Sequence, residues 1–255
     1  MITDGFDANA KPLMGPEDFY GAPKHLCDCC IVTFSNRIAE EVLKEFPHEK
    51  VGKIRDANGG RPIYLLEHEG KRYAFYLSRI GSALAATDVI DANHLTGAKR
   101  FVFFGSAGSL NEAETIGKYV LPTEAYRDEG MSYHYAAPSD YIKIRESDRL
   151  AGIFRELDIP FIQSRVWTTD AFYMETPEKL QARKAEGCLA VEMEAAGVQA
   201  VCDHYGFSYY VFLMTGDVLE EQDYDIGTLW AVNHHTQNFH VALTVAERVH
   251  LGNQD

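Results

Sequence analysis

An α/β fold, built on a largely parallel or mixed sheet covered by helices on both faces, is what this 255-residue sequence predicts. Three observations predict it. From residue 25 onward, short apolar runs with the two-residue period of strands alternate with segments of helical period. No internal repeat, low-complexity tract or linker interrupts residues 25 to 251. Three of the strand runs end in glycines or acids, and in open α/β sheets ligands gather at the carboxyl ends of strands.

The elements follow in order. Residues 1–24, with Gly and Pro scattered among polar side chains, read as an irregular N-terminal arm, and residues 25–255 as a single domain. "CCIVTFS" is a short apolar strand, and "NRIAEEVLKEF" a helix with Ile38, Val42, Leu43 and Phe46 on one face. "KRYAFYLSRI" alternates as a strand does. "SALAATDVIDANHLTG" is a helix with Ser82 expected at its N-cap and Gly97 ending it. "KRFVFFGSAGSL" reads as a buried strand running into a glycine loop, and "KYVLPTEAYRDEG" as a further extended piece. Residues 147 to 157 form a short helix, and "IPFIQSRVWTTD" a strand. "TPEKLQARKAEG" is a helix capped by Thr176, with Pro177 in its first turn and Gly187 closing it. "CLAVEME" is a strand giving way to a helix, "FSYYVFLMTGD" is the last strong strand, and residues 229 to 250 are expected as one final helix.

Composition narrows the function classes. Apolar residues make up 46% and charged residues 24%, and acidic side chains outnumber basic ones 38 to 24, for a formal charge of −14. Nucleic-acid binders need a basic patch, so this balance argues against a nucleic-acid partner while leaving room for a small anion held by a few cations. No apolar run reaches the roughly 18 residues of a membrane span, and no signal-peptide pattern opens the chain, so no membrane partner is expected and the cytoplasm is the expected location. Five cysteines do not read as a disulfide framework. Cys27, Cys29 and Cys30 have no zinc-like spacing and run straight into a strand, which suggests buried thiols, and no metal site is expected.

Three strand ends carry chemistry. "GSAGS", Gly105 to Ser109, is either a plain tight turn or a nest of backbone N–H groups for an anion. It is neither a P-loop nor a dinucleotide fingerprint. In "LAVEMEAAGVQAV", Glu192 and Glu194 share a face only if the backbone is extended, since on a helix they would diverge by about 200°. Val198, Val201, Cys202 and Tyr205 then show helical spacing, so the pair marks a strand-to-helix transition. There a carboxylate either accepts hydrogen bonds from vicinal hydroxyls, as a ribose presents, or complements the helix dipole. Asp217, ending "LMTGD", is either a loop cap or a general acid whose pKa partial burial raises. Phe172, read by itself, is a core aromatic.

In order along the chain, "GSAGSL", "TTDAFY", "AVEMEAAGV" and the late strand-end Asp resemble the nucleoside phosphorylase superfamily. That superfamily comprises the purine nucleoside and uridine phosphorylases and the methylthioadenosine/S-adenosylhomocysteine nucleosidases. The resemblance spans about residues 25 to 250, with "VEMEAAG" its most specific part. It implies a three-layer α/β/α sandwich around a central mixed sheet, assembled as a homodimer or a homohexamer (trimer of dimers). It also implies cleavage of an N-glycosidic bond to ribose, with a nucleoside and inorganic phosphate as partners and no further cofactor. Glu194 would hold the ribose hydroxyls with Met193 packed on the sugar, Glu192 would support the site, Phe172 would stack on the base, and Ser106 would sit near phosphate or sugar. Asp217 would protonate purine N7.

Departures from the family pattern concern phosphate and base. The phosphorylases commonly place an arginine two residues before the glycine segment, where this chain has Phe103; there it looks more like the nucleosidases, which use water and need no phosphate site. The first phosphate loop is represented only by "TFSNR", which keeps Arg37. Arg37, which is otherwise a surface arginine opening a helix, and Arg79, at another strand end, are the candidate phosphate ligands, and Arg55 or Arg61 would serve a neighbouring subunit. The Gln and Arg that read uracil in uridine phosphorylases are here Thr176 and Glu178, so Asp217 favours a purine. The usual Ser-Asp pair is Gly216-Asp217, with no arginine downstream in "VLEEQDYDIGTLW". Three readings follow: a nucleoside phosphorylase acting on purine nucleosides, with uridine phosphorylase as its alternative; a methylthioadenosine/S-adenosylhomocysteine nucleosidase using water; and a non-catalytic nucleoside-binding relative.

Overall fold

The computed structural model describes residues 2–220 and 223–251. The chain runs α1 (Pro16–Tyr20), β1 (Cys29–Thr33), α2 (Asn36–Glu45), β2 (His48–Ile54), β3 (Arg61–His68), β4 (Lys71–Leu77) and α3 (Ser82–Thr96). It continues with β5 (Arg100–Ser109), α4 (Glu112–Thr115), β6 (Tyr119–Asp128), β7 (Tyr141–Lys143), α5 (Ser147–Glu156), β8 (Phe161–Thr169) and α6 (Pro177–Ala185). The last part is β9 (Cys188–Glu192), α7 (Ala195–Tyr205), β10 (Ser208–Leu219), β11 (Tyr224–Asp225), α8 (Leu229–Asn233) and α9 (Gln237–Leu251).

All the described strands join one mixed sheet, with β1 parallel to both β4 and β5, and β2 and β3 antiparallel at one edge. At the other end the sheet closes on itself. β10 bonds to β5 and β6, β6 to β8, β8 to β9, and β9 returns to β5.

The two-residue period of strands sorts the core into two layers. Cys30, Val32, Phe101, Phe103, Tyr209 and Val211 pack on one face with residues of α3 and α7. Cys29, Ile31, Val102, Phe104, Tyr210 and Phe212 pack on the other with residues of α2, α5 and α9. This is the central mixed sheet with helices on both faces that the sequence leads one to expect. Cys29 and Cys30 point into opposite layers, so they cannot share a metal ion. Burial pushes the Cys27 thiol up to about 11 and those of Cys29 and Cys30 up as well. All five cysteines are free thiols.

Four expectations are corrected. The N-terminal arm is not wholly irregular. Pro16 opens α1, Asp18 accepts the Gly15 N–H at 2.9 Å, and the Tyr20 hydroxyl donates to Asp91 at 2.9 Å, tying α1 to α3. The cap of α3 is Gly81, not Ser82. Gly81 sits at φ 97°, a conformation that favours glycine, and Ser82 is the first helical residue, its Oγ donating to the Met193 carbonyl at 3.0 Å. "GSAGS" is not a loop, because β5 continues through Ser109. The last helix is not continuous: α8 stops at Asn233 and α9 starts at Gln237. Strands β2 and β3 escape the sequence reading altogether. The first is an exposed edge strand without an apolar run. No helix among the described residues is long and apolar enough to cross a membrane.

Candidate active site

A cavity of about 1090 Å³ opens where β1, β5, β9 and β10 end. Six of the side chains singled out from sequence line it: Ser106, Phe172, Glu192, Met193, Glu194 and Asp217. They arrive from four separate stretches of chain, so convergence is a property of the fold rather than of local sequence.

The glycines of β5 are there for close approach. A Cβ on Gly108 would lie 2.5 Å from Leu219 and 2.9 Å from Val191, because β10 and β9 flank it. Gly108 pairs with Asp217 on one side and Val191 on the other. The backbone that an anion nest would need is therefore committed to the sheet, and Ser106 presents its side chain from a strand.

Glu192 and Glu194 divide the two roles left open by their spacing. Glu192, the last residue of β9, is buried. Its Oε2 accepts the N–H groups of Glu194 and Ala195, both at 2.7 Å, and Oε1 accepts the Thr168 hydroxyl. It thus satisfies the otherwise unpaired N-terminal donors of α7. Glu194, half-buried at the head of α7, turns its carboxylate towards Gly81, whose N–H donates at 2.6 Å. Burial raises the pKa of both, and the Glu192 charge raises Glu194 further, whereas the hydrogen bonds to each act in the opposite direction.

Asp217 reaches the cavity through a bulge. The register of β10 against β5 shifts between Thr215 and Asp217. Gly216 is required there, since a Cβ would meet the Leu229 backbone at 2.7 Å, and this explains the glycine in place of serine. Burial raises the Asp217 pKa, while the Tyr224 hydroxyl, donating at 3.1 Å from β11, partly opposes that shift. Burial and the Asp217 charge push Glu175 up to about 7. The two carboxyl groups and the phenol form an acidic cluster in the cavity wall. Phe172 stands 49% exposed in a 3-10 turn with its ring 4.0 Å from that of Tyr173, so it belongs to the cavity rim and not to the core.

Neither candidate phosphate arginine lines the cavity. Arg37 is exposed on α2 and pairs with Glu41 at 3.3 Å. Arg79 is held by fully buried Asp88 at 2.6 Å, with Asp56 3.9 Å away. Arg61 belongs to the same cluster, pairing with Asp56 at 3.2 Å, and Arg55 donates to the Phe19 carbonyl at 2.9 Å. Phe103 is buried against Phe34 and Tyr209 and faces the core. Among the described residues no lysine or arginine lines the cavity.

The cavity is also lined by Ser35, Asn233 and His234, which sequence reasoning missed. His234 Nδ1 lies 2.7 Å from the Ser35 hydroxyl, and the Ser106 hydroxyl donates to Asn233 Oδ1. The available signal was the run "NHHTQN", poor in helix formers and suited to a helix break. Glu175 and Tyr224 carried no signal of their own, since only the fold brings them to Asp217. Away from the cavity, His68, Glu69 and Glu247 bring ligand atoms within 4.8 Å of one another at the surface, an arrangement that acidic side chains often reach without a metal.

The Phosphorylase superfamily profile matches residues 29–249. A DeoD-type purine nucleoside phosphorylase from Colwellia psychrerythraea is 26% identical over 160 residues, covering 60% of this chain and 67% of that protein. A guanosine phosphorylase from Halorubrum lacusprofundi is 29% identical over 144 residues, covering 54% of this chain and 58% of its own. Among solved structures, the Toxoplasma gondii purine nucleoside phosphorylase complexed with immucillin-H superposes with a TM-score of 0.71 at 19% identity, covering 88% of this chain and 92% of that one. The Campylobacter jejuni 5′-methylthioadenosine/S-adenosylhomocysteine nucleosidase gives 0.68 at 19% identity, with 87% and 97% covered. At these identities the structural likeness speaks for the fold alone.

Proposed function

The chain belongs to the phosphorylase superfamily, and from that premise we propose that it cleaves the N-glycosidic bond of a purine ribonucleoside with inorganic phosphate as acceptor, releasing the free base and ribose 1-phosphate. The observation that carries this reading is the convergence of Asp217, Glu194, Met193, Phe172 and Ser106 on one cavity. The phosphorylase relatives in sequence support phosphate as the acceptor.

In the proposed reaction the Glu194 carboxylate accepts hydrogen bonds from the ribose hydroxyls, and Glu192, holding the Glu194 N–H, fixes that carboxylate in place. Met193 packs on the sugar and Phe172 on the base. As the bond from C1′ to N9 breaks, its electron pair passes to the base, and the proton on Asp217 moves to N7, so the base leaves neutral. A phosphate oxygen forms the new bond to C1′ as oxocarbenium charge develops. A raised carboxyl pKa suits Asp217 to this task, because a general acid must still hold its proton near working pH.

One observation favours a second reading, hydrolysis of the same bond: no lysine or arginine lines the cavity among the described residues. Incubation with inosine, adenosine and uridine, each with and without phosphate, separates the two. Purine release that requires phosphate supports phosphorolysis. Release indifferent to phosphate supports hydrolysis, and faster release from uridine than from either purine nucleoside would overturn the base assignment.

A further inference from the structure

The break between α8 and α9 places two consecutive residues against two adjacent strands, β1 and β5. Asn233 accepts the Ser106 hydroxyl beyond the middle of β5, and His234 meets Ser35, two residues past β1. β1 and β5 run parallel with Thr33 opposite Phe104, so Ser35 and Ser106 lie side by side just past the last β1–β5 pair. All four side chains line the cavity. Among the described lining residues His234 is the one that can carry a positive charge.

The hydrogen-bond inventory at Ser35 favours a donor role. Its Oγ caps α2, accepting the Ile38 N–H at 3.2 Å, and it contacts Nδ1 of His234 at 2.7 Å. When the imidazole is protonated, Nδ1–H donates to Ser35 Oγ, which leaves the Ser35 O–H and the His234 Nε2–H free to point at a ligand. No hydrogen bond to Nε2 is formed among the described residues. The Asn233 amide offers two more donors alongside. A cluster of donors with one ionisable cation fits an oxyanion, and charge-assisted hydrogen bonds of this type are about twice as strong as neutral ones.

We propose that His234, with Ser35, Ser106 and Asn233, is the phosphate-binding subsite of this chain, the imidazolium supplying the charge that an arginine would otherwise supply. This rests on the phosphorolytic reading above. A protein of charge −14 with carboxyl groups lining the same cavity needs a local cation to draw in a dianion, and His234 is positioned to be it.

The test is the effect of His234→Ala on the KM values for inorganic phosphate and for inosine, with the melting temperature as control. We expect the KM for phosphate to rise by roughly tenfold or more, the KM for inosine to stay within about twofold, and His234→Lys to restore most of the phosphate affinity. An unchanged KM for phosphate, or equal rises in both KM values accompanied by a lower melting temperature, overturns the proposal. If wild-type base release is indifferent to phosphate, the phosphorolytic reading fails by itself. The subsite is then judged by phosphorus NMR of inorganic phosphate. Line broadening by wild type that His234→Ala abolishes sustains it, and no broadening, or broadening that survives the substitution, overturns it.

Discussion

The backbone N–H of Gly81 donates a 2.6 Å hydrogen bond to the Glu194 carboxylate and so ties the start of α3 to the start of α7. Gly81 can do this because it adopts φ 97°, and Gly197 lets the helices close up, since a Cβ there would meet that of Ser82 at 2.7 Å. One carboxylate oxygen is thereby fixed, and the rest of the group faces the cavity where we place the ribose.

Glu194→Gln should therefore leave the fold intact and weaken sugar recognition. A hydrogen bond to a charged group is worth about 1.5–3 kcal/mol, so kcat/KM for inosine should fall roughly 10- to 150-fold. The loss should be smaller for 2′-deoxyinosine, which has one hydroxyl fewer to offer. Steady-state kinetics on the two substrates checks this, and equal losses on both would count against Glu194 as the hydroxyl acceptor.

Asp217→Asn should cost roughly 10² to 10⁴ in kcat on inosine, the usual range for removing a general acid. Burial raises the pKa of Asp217, and the protonated form is the working one, so wild-type activity should fall as pH rises through that folded value. The alkaline limb set by Asp217 should be absent from the kcat of the variant at saturating phosphate. Rates on p-nitrophenyl riboside, whose leaving group needs no proton, should hardly change, and an equal loss there would point to a structural role.

Glu192→Ala is expected to damage stability more than chemistry. It removes the acceptor of two backbone N–H groups, both at 2.7 Å, and of the Thr168 hydroxyl in a buried setting. Orphaned buried donors cost about 1–3 kcal/mol each, so a loss of about 3 kcal/mol is expected in urea denaturation. A change within 0.5 kcal/mol, roughly what surface substitutions give, would show that α7 does not depend on this cap.

Glu175 gives stability a pH slope of definite sign. Its carboxyl moves from the ordinary value of 4.5 to about 7, with burial the first cause and the Asp217 charge the second. Between those values the folded state binds more protons than the unfolded one, so this group's contribution falls as pH rises through the window. Glu175→Gln should accordingly lose less stability than wild type between pH 5 and pH 8, by on the order of 1–3 kcal/mol, as denaturation at the two pH values would show. Parallel losses in the two proteins would mean that Glu175 titrates normally.

The parts of this structure legible in the sequence are those that write themselves in periodicity and punctuation. β1, β4, α3 and α7 carry continuous apolar faces and end in glycines or caps, and "VEMEAAG" announces its strand-to-helix turn. β2 was not legible because an edge strand exposed along most of its length has no apolar run. The closure of β10 onto both β5 and β6 was not legible either, as register between distant strands leaves no local trace. The same holds for the site. Glu194 and Asp217 stand at strand ends and could be singled out, whereas Glu175, Tyr224 and His234 acquire meaning only from the neighbours the fold gives them. Arg37 and Arg79 lie close in sequence to strand ends, but their ion pairs with Glu41 and Asp88 turn both guanidinium groups to other work.

Phosphorus NMR of inosine with inorganic phosphate and the purified protein tests the central claim most directly. We expect ribose 1-phosphate to appear in step with hypoxanthine, and neither to form with Asp217→Asn over the same period. Hypoxanthine accompanied by free ribose and an unchanged phosphate signal, or no hypoxanthine at all, would contradict it.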